Sequence, residues 1–126
     1  MVTMLNKTVP LQIARFLNDQ KATDVTLIDI SKQSGFADYF VIATVSSFGQ
    51  LRGLLKNLDD ELATAGVHTK GTKRSLTEDE QWILVDCADF IVHLMTKPAR
   101  DFYALEKLWF ESPHLDIATG EALPSV

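Results

Sequence analysis

The chain has 126 residues, the length of one domain and enough to bury one proper core. Hydrophobic residues make up 46% and charged residues 23%, which excludes a disordered or fibrous chain. With 12 Lys+Arg against 17 Asp+Glu the formal charge is −5, which argues against general nucleic-acid binding by phosphate neutralisation. The same balance suits a basic protein partner better than a small acidic ligand.

A single cysteine excludes an internal disulfide framework and points to a reducing compartment. No apolar run approaches the roughly 18 residues of a membrane span. The opening "MVTMLNKTVPLQIARFLNDQK" has neither a signal-peptide apolar block nor an Arg/Ser-rich transit composition. The expectation is a cytoplasmic protein, or the mature form of an organellar one.

From Thr8 to about Lys21, Val9, Ile13, Phe16 and Leu17 recur at helical spacing, with Pro10 tolerated in the first turn. "DVTLIDI" (24–30) alternates and is rich in β-branched residues, so it reads as a strand, and "SKQSG" (31–35) as a turn. "DYFVIATV" (38–45) is nearly all apolar, as a central strand covered on both faces should be. Ser47 with Gln50 forms a capping box before a helix whose stripe is Leu51, Leu54, Leu55, Leu58, Leu62 and Ala65. Gly66 stands where a left-handed cap would end it.

"VHTKG" (67–71) fits a short strand and "TKRSLTEDEQ" (72–81) a polar loop. "WILVDCADFIVHLM" (82–95) fits a hairpin. "KPARDFYALEKLWFES" (97–112) fits one helix, opened by Pro98, with Phe102, Leu105 and Trp109 on a shared face and Ser112-Pro113 as its stop. Residues 111–126 are mostly polar or small and read as a mobile tail beyond a domain of 1–110. The order α-β-β-α-β-β-β-α predicts a single α/β domain with a mixed sheet of about five strands flanked by helices.

Several candidate chemistries weaken on inspection. "GVHTKGTK" (66–73) has two glycines at phosphate-loop spacing, but its lysine and hydroxyl are swapped and no strand-to-helix turn is expected there. His68, His93 and His114 lie in different elements with no His/Cys pair at zinc spacing. Cys87 has no histidine close in the chain to activate it. "ATVSSFG" (43–49) is a strand leading to small polar residues, as in nucleotide-transferring enzymes. Those enzymes also need paired metal-binding carboxylates, and neither Asp24/Asp29 nor Asp86/Asp89 has the spacing. No catalytic residue, metal or cofactor is expected. Lys70, Lys73 and Arg74 form a basic loop that is solvated by default, the alternative being a contact to RNA or to an acidic neighbour.

In the hairpin, a two-residue turn at Cys87-Ala88 would pair Asp86 with Asp89, Leu84 with Ile91 and Trp82 with His93. Trp82, Leu84, Asp86, Asp89, Ile91 and His93 then share one face; Ile83, Val85, Phe90 and Val92 share the other. Two carboxylates directly opposite repel by up to ~1 kcal/mol. Either a positive partner compensates them or each caps turn amides.

"DYFVIAT" with "SS" (38–47), the long helix, "WILVD-x-x-DFIVHLM" (82–95) and "RDFYALEKLW" (100–109) together resemble the ribosomal silencing factor family, also called Iojap. These blocks cover about residues 8–110. The resemblance implies a fold similar to that of nucleotidyltransferases without their catalytic carboxylates. It implies a non-enzymatic translation repressor that binds the large ribosomal subunit through its fourteenth protein, a basic protein, and blocks joining of the small subunit. Organellar relatives act in large-subunit assembly. Carried onto this chain, the partner-binding residues are Trp82, Asp86, Cys87, Ala88 and Asp89, with Tyr39 and Phe40 matching the start of the second strand. An apolar sheet face without its partner could also pair with a second copy.

The chain departs from the family pattern at three places. Cys87-Ala88 replaces an aromatic or leucine followed by glycine, Val45 replaces a glycine before the paired serines, and "TKPAR" (96–100) replaces a commoner acidic run.

Overall fold

The computed structural model describes residues 7–69, 74–75 and 79–124. Helix α1 (Thr8–Asp19) turns Leu11, Ile13, Ala14 and Leu17 inward, with Val9 and Phe16 packed at the edge of the same cluster. Strands β1 (Thr23–Asp29) and β2 (Tyr39–Val45) run antiparallel, Leu27 opposite Val41. Every residue of β2 is buried, Thr44 included, as its nearly all-apolar run requires of a strand covered on both faces.

Helix α2 (Phe48–Thr64) begins at Ser47, whose hydroxyl accepts the Gln50 amide at 3.1 Å. The Gln50 side chain returns to the amide of Ser46 and not to that of Ser47, a one-residue variation on the capping box. Its stripe Leu51, Leu54, Leu58 and Leu62 is buried, each leucine contributing about 1.5–3 kcal/mol. The helix closes as expected. Gly66 sits at φ +77°, the Val67 amide bonds the Leu62 carbonyl and the Gly66 amide bonds that of Ala63.

Then follow β3 (Arg74–Ser75), β4 (Trp82–Asp86), β5 (Phe90–Thr96), α3 (Lys97–Tyr103), α4 (Leu105–Leu108) and β6 (His114–Leu115). The six-stranded sheet has the order β3-β4-β5-β2-β1-β6. Only β2 and β5 pair in parallel among these strands, so the sheet is mixed, as the pattern predicted. One face carries Leu27, Val41, Val85, Phe90, Val92 and Leu94 under α1 and α2. The other carries Ile28, Phe40, Ile42, Ile91 and Met95 under Ala99 of α3 and Leu105 of α4.

Three expectations need correction. The helix expected over 97–112 is broken at Ala104, which takes a left-handed conformation at φ +46°. The cause is tertiary. The Arg100 guanidinium is buried, where it donates to the Asp24 carbonyl and to the hydroxyls of Thr44 and Thr26. The break brings Glu106 back onto Arg100. Phe102, Leu105 and Trp109 therefore do not share a face: Leu105 is buried and Phe102 is 81% exposed.

The short strand expected at 67–71 is not formed at Val67–Thr69, and the rest of it lies outside the described residues. Strand β3 comes instead from the stretch read as a polar loop. Finally, the stretch read as a tail after Pro113 extends the sheet. The Asp29 amide bonds the Pro113 carbonyl at 2.8 Å, and Leu115 lies opposite Leu27. Ala122 then pairs back on Leu115, and Arg15 of α1 holds the connecting turn through the carbonyls of Ile117 and Ala118. Two-residue pairings this far apart in sequence leave no periodic trace.

Candidate protein-binding face

The β4–β5 hairpin pairs Trp82 with Met95, Leu84 with His93 and Asp86 with Ile91, two positions away from the expected register. Cys87 bonds Phe90 across the turn at 3.0 Å, so the tip is Ala88-Asp89 and not Cys87-Ala88. A shift of two preserves the alternation of side chains, so the expected division into faces survives. Asp86 no longer faces Asp89, and the repulsion expected between them across the strands has no geometric basis.

Each aspartate has its own task. Asp86 accepts the Ala88 amide at 2.9 Å, closing an Asx turn. Ala88 stands at φ +70°, and the Asp89 amide bonds the Cys87 carbonyl around it. Asp89 is exposed, and its carbonyl accepts the amide of Asp38 at 2.8 Å. The parallel β2–β5 pairing thus brings Asp38 beside Asp89, with Asp29 at the adjoining end of β1. Burial, then the charges of Asp89 and Asp29, push the Asp38 carboxyl above its ordinary value. This end of the sheet is more acidic than the hairpin alone. Asp29 and Asp38 escaped sequence reasoning because the β2–β5 adjacency joins segments some fifty residues apart.

Trp82 lies at the far end of β4 on the same face as Asp86, partly exposed. Its indole N–H donates to His93 Nδ1 at 3.0 Å, and the Tyr103 ring of α3 lies 4.8 Å from it. His93 is buried edge-on to Phe40 with ring centres 4.5 Å apart, and Phe40 meets Trp109 of α4 at 5.4 Å. Burial lowers the His93 pKa to about 4. Around this cluster Phe102 and Phe36 are exposed aromatics. The face is therefore aromatic and apolar along its length and acidic at one end.

The remaining residues singled out from the sequence are turned elsewhere. Tyr39 is buried beneath α1 and α2, where burial and the charges of Asp29 and Asp38 raise its phenol pKa. Phe40 is buried on the opposite side under Phe36 and Trp109. Cys87 is packed in the helix-side core, and burial followed by the Asp86 charge pushes its thiol up to about 12. Lys70 and Lys73 lie outside the described residues, and Arg74 contributes its backbone to β3. Among the described residues, no group of three or more His, Cys, Asp and Glu is arranged to hold a metal, and no helix is long and apolar enough to cross a membrane.

Fold and surface define a single α/β domain, a helix-backed mixed sheet whose other face carries partly uncovered aromatic side chains. The chain belongs to the ribosomal silencing factor family: the sequence pattern described as "Ribosomal silencing factor during starvation" matches residues 6–125. A ribosomal silencing factor from Bacillus subtilis is 32% identical over 117 residues, spanning 93% of this chain and 98% of that protein. A more distant match, the mouse protein named "Mitochondrial assembly of ribosomal large subunit protein 1", is 27% identical over 117 residues, covering 89% of this chain but 51% of that protein. A crystal structure of a Chromobacterium violaceum protein superposes with a TM-score of 0.74 at 28% identity, covering 98% of this chain and 92% of that one.

Proposed function

We propose that the protein is a cytoplasmic translation repressor that acts by binding and not by catalysis. It docks on the large ribosomal subunit through the subunit's fourteenth protein and sterically blocks joining of the small subunit. The observation that carries this reading is the face running from Trp82 to the acidic hairpin end. An aromatic anchor with Asp86, Asp89 and Asp38 gathered at one end of the same face complements an apolar contact flanked on one side by Lys or Arg. Family membership supports the ribosome as the partner.

Within this reading the contacts are Trp82, Asp86, Asp89 and the Ala88 backbone at the tip. Tyr39, Phe40 and Cys87 act through the core behind them. In the free protein the same face could pair with a second copy, and rRNA contact by the basic loop remains part of the reading. The test is co-sedimentation with isolated large subunits, followed by a subunit-joining assay. Binding with inhibition of joining is expected; unimpaired joining at saturating protein removes the repressor role.

A second reading, a large-subunit assembly factor, is favoured by the name of the mouse relative. It predicts association with immature particles in preference to mature subunits, which sedimentation profiles separate.

A further inference from the structure

We propose that His93 is a positioning residue for docking: it fixes the orientation of the Trp82 indole through Nδ1 before any partner arrives. This deepens, and rests on, the reading of Trp82 as the anchor of the face.

An indole N–H only donates, so the 3.0 Å contact requires His93 Nδ1 to be an unprotonated acceptor. The proton of the neutral ring then sits on Nε2. That atom is buried and, among the described residues, has no hydrogen-bond partner. The neutral tautomer is held by its surroundings, because burial opposes the imidazolium.

Stability alone does not account for this choice. Position 93 lies in β5 between the buried Val92 and Leu94, where an aliphatic side chain would leave no orphaned donor. Trp82 is partly exposed, so its N–H could be satisfied by water. The hydrogen bond is made at the expense of an unsatisfied Nε2, and its result is an indole pinned between the histidine below and Tyr103 at its side. A rotamer fixed in advance lowers the ordering cost of binding, which is what an anchor residue requires.

The test compares His93→Leu, which removes the acceptor, with His93→Asn, which keeps an acceptor oxygen near the Nδ1 position. The Trp82 indole N–H resonance, assigned with Trp109→Phe, and its hydrogen-exchange rate report the orientation directly. Co-sedimentation with large subunits reports docking. In His93→Leu the resonance should move toward that of a solvent-exposed indole, its exchange should quicken, and affinity should fall about tenfold, the worth of one hydrogen bond. His93→Asn should recover both. An unmoved indole resonance with parental affinity in His93→Leu overturns the proposal. Should His93→Leu fail to fold, a folded His93→Asn with a solvent-like indole resonance overturns it equally. Trp82→Ala, run in parallel, separates the two readings: undiminished binding there removes the docking role of Trp82, while the indole signal alone still decides what His93 does.

Discussion

The Asp86 carboxylate accepts the amide of Ala88 at 2.9 Å, and Ala88 itself stands at φ +70°. An alanine in the left-handed region pays about 1–2 kcal/mol for the crowding of its Cβ. Glycine avoids this crowding but loses about 0.4–1 kcal/mol to its greater unfolded-state freedom. Ala88→Gly should therefore stabilise the protein by roughly 0.5–1 kcal/mol. Thermal unfolding should register a rise of about 2–4 °C. An unchanged or lowered midpoint would refute the strain.

The two aspartates should respond differently to substitution. Asp86→Ala removes the acceptor of the Ala88 amide and should destabilise by about 1 kcal/mol, whereas Asp86→Asn keeps the turn and removes the charge. Asp89 bonds its neighbours through its backbone, so Asp89→Lys should leave stability within about 0.5 kcal/mol. Asp86→Asn and Asp89→Lys should both weaken large-subunit binding, more steeply at low salt. A loss relative to the parent that is the same at low and high salt, or no loss in either variant, would argue against a basic partner.

These tip residues also mark where the sequence stopped being legible. The alternation in "WILVD" and "FIVHLM" established which side chains share a face, because a two-residue slip leaves parity untouched. The slip itself follows from Ala88 accepting a left-handed turn that its composition disfavours. Gly66, at a comparable φ, was foreseen because glycine advertises the conformation. The break at Ala104 was hidden for a different reason. The 97–112 segment has helical periodicity, and what interrupts it is the set of partners that Arg100 finds on β1 and β2. The acidic end was half visible: Asp86 and Asp89 are neighbours in sequence, while Asp38 and Asp29 join them only through strand order.

Arg100 offers the sharpest test of that packing. Its buried fork joins α3 to β1 and β2 and meets Glu106 across the break. Arg100→Ala strands the Asp24 carbonyl and the Thr44 hydroxyl and should cost about 2–4 kcal/mol by chemical denaturation. Arg100→Lys should recover little of it, since one ammonium cannot reproduce a planar fork. A loss below about 0.5 kcal/mol for Arg100→Ala, within the range of ordinary surface changes, would show the network to be incidental.

Burial of Cys87 makes a kinetic prediction. With its thiol pushed up to about 12 and packed against the helix-side core, almost no thiolate is present at neutral pH. A maleimide should label the native protein far more slowly than the unfolded chain, with the rate following unfolding as denaturant is added. Rapid labelling in buffer would place the thiol at the surface.

The buried histidine should tie stability to pH. His93 ionises at about 4 in the folded state against 6.5 ordinarily, so between these values the unfolded chain binds more protons than the native one. Its contribution is fully present above about pH 6.5 and declines as pH falls, at a limiting slope of about 1.4 kcal/mol per pH unit until the folded group itself titrates. Denaturant midpoints followed from pH 7 to 5, above the range where ordinary carboxylates dominate, isolate this effect. The parent should lose stability across that interval, and His93→Asn should lose correspondingly less. Parallel curves for the two proteins would mean that His93 takes up its proton without disturbing the fold.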